Sequence, residues 1–134
     1  MTKKKIAVLG GGSWGSVLSN LASLNGSEVV LWMRDKKVVN FINEKKENRK
    51  YLPGYKLDKS LIASSDLSVI NSANLVLFCV PSDAFREVVL KSRDFISSEA
   101  HLVSATKGVE EEGFSLMSDI LETNSQEGQN VGVI

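Results

Sequence analysis

The chain has one cysteine, one histidine, two prolines and no net charge, its 16 basic residues being matched by 16 acidic ones. Each scarcity excludes something. The lone Cys79 cannot support a disulfide framework or a cysteine metal site, and its place inside an apolar run marks it as a small core residue. A balanced charge gives no support for a general nucleic-acid or membrane surface. No apolar run approaches the length that spans a bilayer. Lys3-Lys4-Lys5 has the look of a leader start, but glycine interrupts the following apolar stretch after four residues and no cleavage site follows. The expectation is a soluble cytoplasmic protein without metal, nucleic-acid or membrane partners.

There is also no internal repeat and no linker. With 134 residues, 43% of them hydrophobic, residues 1–134 form one domain with enough apolar material for a core. The charge is unevenly spread: residues 1–60 carry 12 basic and 5 acidic groups, residues 61–134 only 4 and 11. A basic first half suits the phosphate end of an anionic ligand.

What is present is concentrated near the amino terminus. Ile6-Ala7-Val8-Leu9 runs directly into Gly10, Gly12 and Gly15 at G-x-G-x-x-G spacing, and the apolar positions that follow (Val17, Leu18, Leu21, Ala22, Leu24) recur with helical period up to Asn25-Gly26. The order is strand, tight turn, helix. The three glycines serve different ends, since Gly10 makes the turn, Gly12 lets backbone approach a pyrophosphate, and Gly15 lets helix pack closely on strand. The helix is expected to lay Ala22 and its leucines on the sheet. Residues 28–33 then read as a second parallel strand, which completes the strand, helix and strand unit that a dinucleotide site requires.

At the tip of that strand the ribose is read. An acidic residue there favours NAD, whereas this chain has Met33 and Arg34, with Asp35 one place later. A guanidinium can pair with a 2′-phosphate that a carboxylate would repel, so NADP(H) is favoured and NAD(H) remains possible.

Further along, residues 36–47 read as a short helix, and 48–59 as a loop with the Pro53-Gly54 turn. Residues 61–64 read as a brief strand, and 67–73 as a helix capped by Asp66. Residues 74–80 are the clearest buried strand, closed by Pro81-Ser82, and 83–96 a helix facing Phe85, Val88, Val89 and Phe95 inward. A strand at 101–106 ends at Lys107-Gly108, which projects an ammonium into the crevice beyond the strand ends. His101 begins that strand at the opposite edge, away from the chemistry. Glu110-Glu111-Glu112 are read as serving the dipole of a helix that continues through Phe114 to Leu121. Residues 131–134 open another strand. The fold class is therefore α/β, a doubly wound, mainly parallel sheet of the Rossmann type with helices on both faces, and the pattern reads as one domain of a longer protein.

With these residues assembled, the sequence resembles the amino-terminal domain of bacterial-type NAD(P)-dependent glycerol-3-phosphate dehydrogenases. The likeness rests on Gly10-Gly11-Gly12-Ser13-Trp14-Gly15, whose tryptophan is more distinctive than its glycines, and on Asn48-Arg49-Lys50-Tyr51-Leu52-Pro53, similar to an N-x-x-Y-L-P loop. Val80-Pro81-Ser82 and Ser104-Ala105-Thr106-Lys107-Gly108 add to it. The resemblance implies reversible hydride transfer between dihydroxyacetone phosphate and sn-glycerol 3-phosphate, for phospholipid synthesis, by a homodimer when full length. It implies that Ser13 and Trp14 contact the cofactor phosphates and that Arg34 meets the adenosine end. It implies too that Tyr51 closes over the cofactor and that Lys107 touches both nicotinamide and substrate, while Pro81, just past a strand end, is expected to lie under the cofactor. The general acid/base lysine of the family belongs to a second, helical domain, so this segment alone is expected to bind cofactor without turnover. Two other readings share the glycine turn: a ketopantoate or hydroxyacid reductase, and a non-catalytic nucleotide-sensing module.

Overall fold

The computed structural model describes residues 3–134. Its strands are β1 (Lys5–Leu9), β2 (Glu28–Trp32), β3 (Ile62–Ser64), β4 (Leu75–Phe78), β5 (His101–Ser104) and β6 (Val131–Val133). The helices are α1 (Ser13–Leu24), α2 (Lys36–Lys45), α3 (Ser82–Ser92) and α4 (Met117–Asn124). All neighbouring strands pair in parallel, in the order β3-β2-β1-β4-β5-β6. The connection reverses direction between β1 and β4, and such reversals open a crevice beyond the carboxyl ends of the strands.

Register makes that crevice. Leu9 pairs with Trp32 on one side and Phe78 on the other, and Phe78 pairs with Ser104, so four strands end on one row. The residues that follow, Gly10, Met33, Cys79 and Ala105, therefore rise side by side as the rim of a single site.

Alternation along the strands divides the core between the two sheet faces. Ala7, Leu9, Val30, Trp32, Val76 and Phe78 pack with Phe85, Val88 and Val89 of α3 and Ile120 and Leu121 of α4. Val8, Val29, Leu31 and Leu77 pack with Val39 and Ile42 of α2 and with Leu57 and Leu61. Because both faces are covered, the strands read as continuous apolar runs.

Helix α1 departs from the sequence expectation. Its buried residues are Gly15, Ser16, Ser19, Asn20 and Ser23, while Leu21 and Leu24 are exposed and Ala22 is half-buried. Small side chains bring this helix close to the sheet, and the polar atoms of Ser16, Ser19 and Asn20 find partners while the buried Ser23 hydroxyl has none. Ser19 Oγ donates to Gly15 O at 2.7 Å, and Asn20 accepts from Asp58 N at 2.7 Å and donates to the Tyr55 hydroxyl at 3.3 Å.

Three further differences are local. Residues 67–70 form a 3-10 turn, capped as expected by Asp66 accepting from Ser68 N, but do not extend to residue 73 as a helix. Phe95, expected inside, lies exposed on the short 3-10 turn after α3. The acidic run 110–112 is not the start of a helix: it sits in a turn closed by an antiparallel bridge between Val109 and Leu116, with Gly113 and Phe114 both at positive φ. Glu110 is used instead to hold that turn to α3, through paired hydrogen bonds from Arg86 at 2.6 and 2.8 Å.

Among the described residues no helix is long and apolar enough to cross a membrane, and no cluster of three or more His, Cys, Asp or Glu side chains could hold a metal ion.

Candidate functional site

The glycine turn between β1 and α1 is built by exclusion of side chains. Gly10 adopts φ +124°, and a Cβ there would lie 2.6 Å from the Cys79 carbonyl carbon. Its amide donates to Trp32 O at 2.9 Å, which ties the turn to the end of β2. A Cβ on Gly15 would fall 1.9 Å from Gly10 O, so the helix start rests directly on the strand end. Gly12 is the opposite case, since a Cβ there meets nothing within 4 Å. It faces open space.

Gly12 is also the residue that caps α1, and it offers no side chain to do so; the first turn holds no acidic residue either. The first intrahelical bond runs from Ser16 N to Gly12 O at 3.0 Å, which leaves the amides of Ser13, Trp14 and Gly15 without intrahelical acceptors. Of these residues Ser13 and Trp14 line the cleft, so free donors and the positive end of a helix dipole stand at its wall, an arrangement that stabilises an anion.

The cleft has a volume of about 640 Å³ and gathers the four strand ends. One wall is the turn, with Gly10, Gly12, Ser13 and Trp14; another is the tip of β2, from Trp32 to Asp35; the third runs from Cys79 to Ser82 and on to Ala84 and Val88 of α3; the fourth is Ala105 to Lys107. Tyr51 closes over the side. Trp14 and Tyr51 remain 55% and 46% exposed, so two aromatic rings stand at the mouth with little protein to cover them. Of the residues singled out in the sequence, all but Gly15 line the cleft. Gly15 stands behind it, against Gly10.

Polar groups around the rim are largely engaged. Asp35 caps α2, accepting from Lys37 N and Val38 N at 2.9 and 3.4 Å, and its carboxylate lies 3.7 Å from Lys50 Nζ. Those amide bonds, with the lysine beyond them, hold its carboxyl below the ordinary aspartate range, so it stays charged and fixed at the helix cap. Arg34 reaches across the mouth to Glu87 of α3 at 3.3 Å. Among the described residues Lys107 has no ion-pair partner, and Gly108 beside it, at φ +114°, turns the chain away. Cys79 is half-buried, packed against the core as expected and also reaching the cleft rim; desolvation pushes its thiol up to about 12, so it is no nucleophile at neutral pH. His101 is at the amino end of β5, bonded to Asn130 at 3.1 Å on the far edge of the sheet.

Known proteins share this geometry. Residues 5–134 match the family model for the NAD-dependent glycerol-3-phosphate dehydrogenase N-terminus. The chain belongs to the NAD-dependent glycerol-3-phosphate dehydrogenase family. It is 43% identical over 134 residues to a glycerol-3-phosphate dehydrogenase (NAD(P)+) of Psychrobacter cryohalolentis, covering 99% of this chain and 31% of the relative. A second, from Carboxydothermus hydrogenoformans, is 44% identical over 117 residues, or 87% of this chain and 35% of that one. The crystal structure of glycerol-3-phosphate dehydrogenase from Coxiella burnetii superposes with a TM-score of 0.88 at 32% identity, over 98% of this chain and 40% of that one. The chain spans about a third of the length of the curated relatives it matches.

Within this member of the glycerol-3-phosphate dehydrogenase family, two supporting residues escaped the sequence reading. Asn48 is fully buried, donating from Nδ2 to Gly11 O at 2.7 Å and to Ser16 Oγ at 2.8 Å while Oδ1 accepts from Tyr51 N at 3.3 Å. It clamps the Tyr51 loop to the glycine turn, a role that the N-x-x-Y-L-P pattern signalled without explaining. Ser13 Oγ adds a second tie, donating to Tyr51 O at 2.6 Å. Thr106 Oγ1 lies 2.6 Å from Val80 O and 3.1 Å from Phe78 O, and so locks the end of β4 to the segment that carries Lys107. Replacing Asn48 with alanine is expected to cost about 1–3 kcal/mol, the range for stranding buried hydrogen-bond partners. Urea unfolding checks this, and a midpoint equal to wild type would show that the clamp carries no stability.

Proposed function

We propose that this chain binds NAD(P)H and forms the cofactor domain of a glycerol-3-phosphate dehydrogenase, which interconverts dihydroxyacetone phosphate and sn-glycerol 3-phosphate to supply phospholipid synthesis. The observation that carries the reading is the uncapped start of α1 with Gly12 open beside it, at the switch point of the sheet. The residues fit such a ligand. A diphosphate would take the free amides of the first turn of α1, at Ser13 and Trp14, where Gly12 leaves space beside the cleft. Met33, Arg34, Pro81, Ser82, Ala84 and Val88 would hold the adenosine end, and Ala105 to Lys107 the nicotinamide end.

When bound, the nicotinamide supplies or accepts the hydride. The chain's own residues then orient and hold. Lys107 places a positive charge by the carbonyl oxygen or the substrate phosphate, where developing negative charge is stabilised. Tyr51 and Trp14 cover the cleft and displace water. A proton must also reach the developing alkoxide. His101 is on the wrong edge and Cys79 holds its proton too firmly, so the reading assigns that step to a lysine in the further length that the relatives possess, and this segment alone is inactive. A cytoplasmic location and a homodimeric whole belong to the same reading. Membership of this family speaks against a ketopantoate or hydroxyacid reductase, and Lys107 against a purely sensory module.

Both tryptophans, Trp14 and Trp32, line the cleft. Titration with NADPH or NADH should therefore quench the intrinsic fluorescence to saturation, and emission unchanged by either nucleotide would overturn the proposal. Arg34→Ala should weaken NADPH by about 1.5 kcal/mol, roughly tenfold, with NADH little affected. That is the lower end for hydrogen bonds to charged groups, since this guanidinium is half exposed. Equal losses for both nucleotides would remove Arg34 from 2′-phosphate recognition.

A further inference from the structure

Arg34 does not stand ready for a phosphate: its Nη2 lies 3.3 Å from Oε1 of Glu87, which projects from α3 across the mouth of the cleft. That same oxygen accepts from Lys91 Nζ at 2.6 Å, one helical turn further along. Glu87 thus sits between two cations. Their bonds and charges hold its carboxyl below the usual glutamate range, the Lys91 contact contributing most, so it is ionised throughout the neutral region. The other nearby carboxylate, Asp35, is committed to the α2 cap and Lys50.

We infer that Glu87 is a specificity-determining residue, an internal carboxylate that occupies Arg34 where a 2′-phosphate would bind and so narrows the preference for NADPH over NADH. The inference rests on the cofactor reading above and deepens it. Two effects act in the same direction. Arg34 must share its donors between Glu87 and the incoming phosphate, and the phosphate, carrying about −1.5 to −2 charges, is repelled by the carboxylate it approaches. A ribose with a free 2′-hydroxyl meets neither penalty. The bridge therefore acts on one cofactor and spares the other, although Glu87 itself lies outside the group of residues that form the cleft wall.

The test is the ratio of dissociation constants for NADPH and NADH, read by fluorescence titration. In Glu87→Gln, which keeps size and removes charge, NADPH should tighten about three- to tenfold while NADH changes less than about twofold. The same substitution made in Arg34→Ala should give less than about half of that gain on a logarithmic scale, because the residues act through each other. Raising salt from about 0.1 M to about 1 M shortens the screening length from about 10 Å to about 3 Å and should erase most of the Glu87→Gln difference, which a merely structural role would not show. An unchanged NADPH to NADH ratio in Glu87→Gln, or equal tightening of both nucleotides, overturns the inference while leaving the cofactor reading intact. Failure of the unsubstituted chain to bind either nucleotide overturns the cofactor reading itself.

Discussion

Gly15→Ala should destabilise the chain by about 3 kcal/mol and weaken NAD(P)H binding about a hundredfold. The added Cβ would sit 1.9 Å from Gly10 O, a backbone atom that no rotamer change can move, so helix and strand must separate by more than an ångström. Alanine's better helix propensity, worth about 1 kcal/mol in a helix interior and less in a first turn, opposes this but is the smaller effect. Displacing α1 also carries the amides of its first turn away from the β1 and β4 ends, which is why binding suffers beyond the loss of stability. Thermal unfolding and nucleotide titration check both parts. A variant as stable as the parent would mean that the close contact of α1 with β1 is not a constraint.

Gly12→Ala separates recognition from folding. Its φ of −75° suits any residue and its Cβ would touch nothing, so only the weaker capping ability of alanine acts on stability, at about 0.5–1 kcal/mol. A methyl group there nevertheless fills the space through which a diphosphate reaches the first-turn amides. Affinity for NADPH and NADH should fall together by about ten- to a hundredfold, the scale of one or two hydrogen bonds to a charged group. Loss of one nucleotide alone would point away from the shared diphosphate.

The parts that sequence made legible are those governed by short-range rules. The apolar run 6–9 and the spacing of Gly10, Gly12 and Gly15 identify the strand, turn and helix, because only glycine tolerates φ +124° and a carbonyl at 1.9 Å. The run at 75–78 announces a central strand because it is covered on both faces. Asp66 and the Pro53-Gly54 turn are equally local. Helix α1 misleads because apolar periodicity assumes that burial follows hydrophobicity, whereas close approach to the sheet selects Ser16, Ser19 and Ser23 for size and leaves Leu21 and Leu24 outside. The acidic run 110–112 misleads because a Val109–Leu116 bridge closes it into a turn and Glu110 pairs with Arg86, 24 residues away.

The candidate site divides along the same line. Residues that follow strand ends, such as Arg34, Pro81 and Lys107, are legible once the strands are placed, since a parallel sheet must bring those ends together. Partnerships across the cleft are not. Asp35 is drawn to the α2 amides and Lys50, Arg34 to Glu87, and Asn48 to Gly11 and Ser16, and each pairing depends on a tertiary approach that no spacing encodes. These contacts convert a generic dinucleotide fingerprint into a cleft with its own balance of charge.

The central claim is that a dinucleotide diphosphate binds against the bare amides at the start of α1. Isothermal titration of the chain with NADPH, beside the Gly12→Ala variant at a temperature where both are folded, tests it most directly. Saturable heat at one nucleotide per chain is expected, with affinity reduced at least about tenfold in the variant; no heat with the parent chain, or the same affinity in both, would contradict the claim.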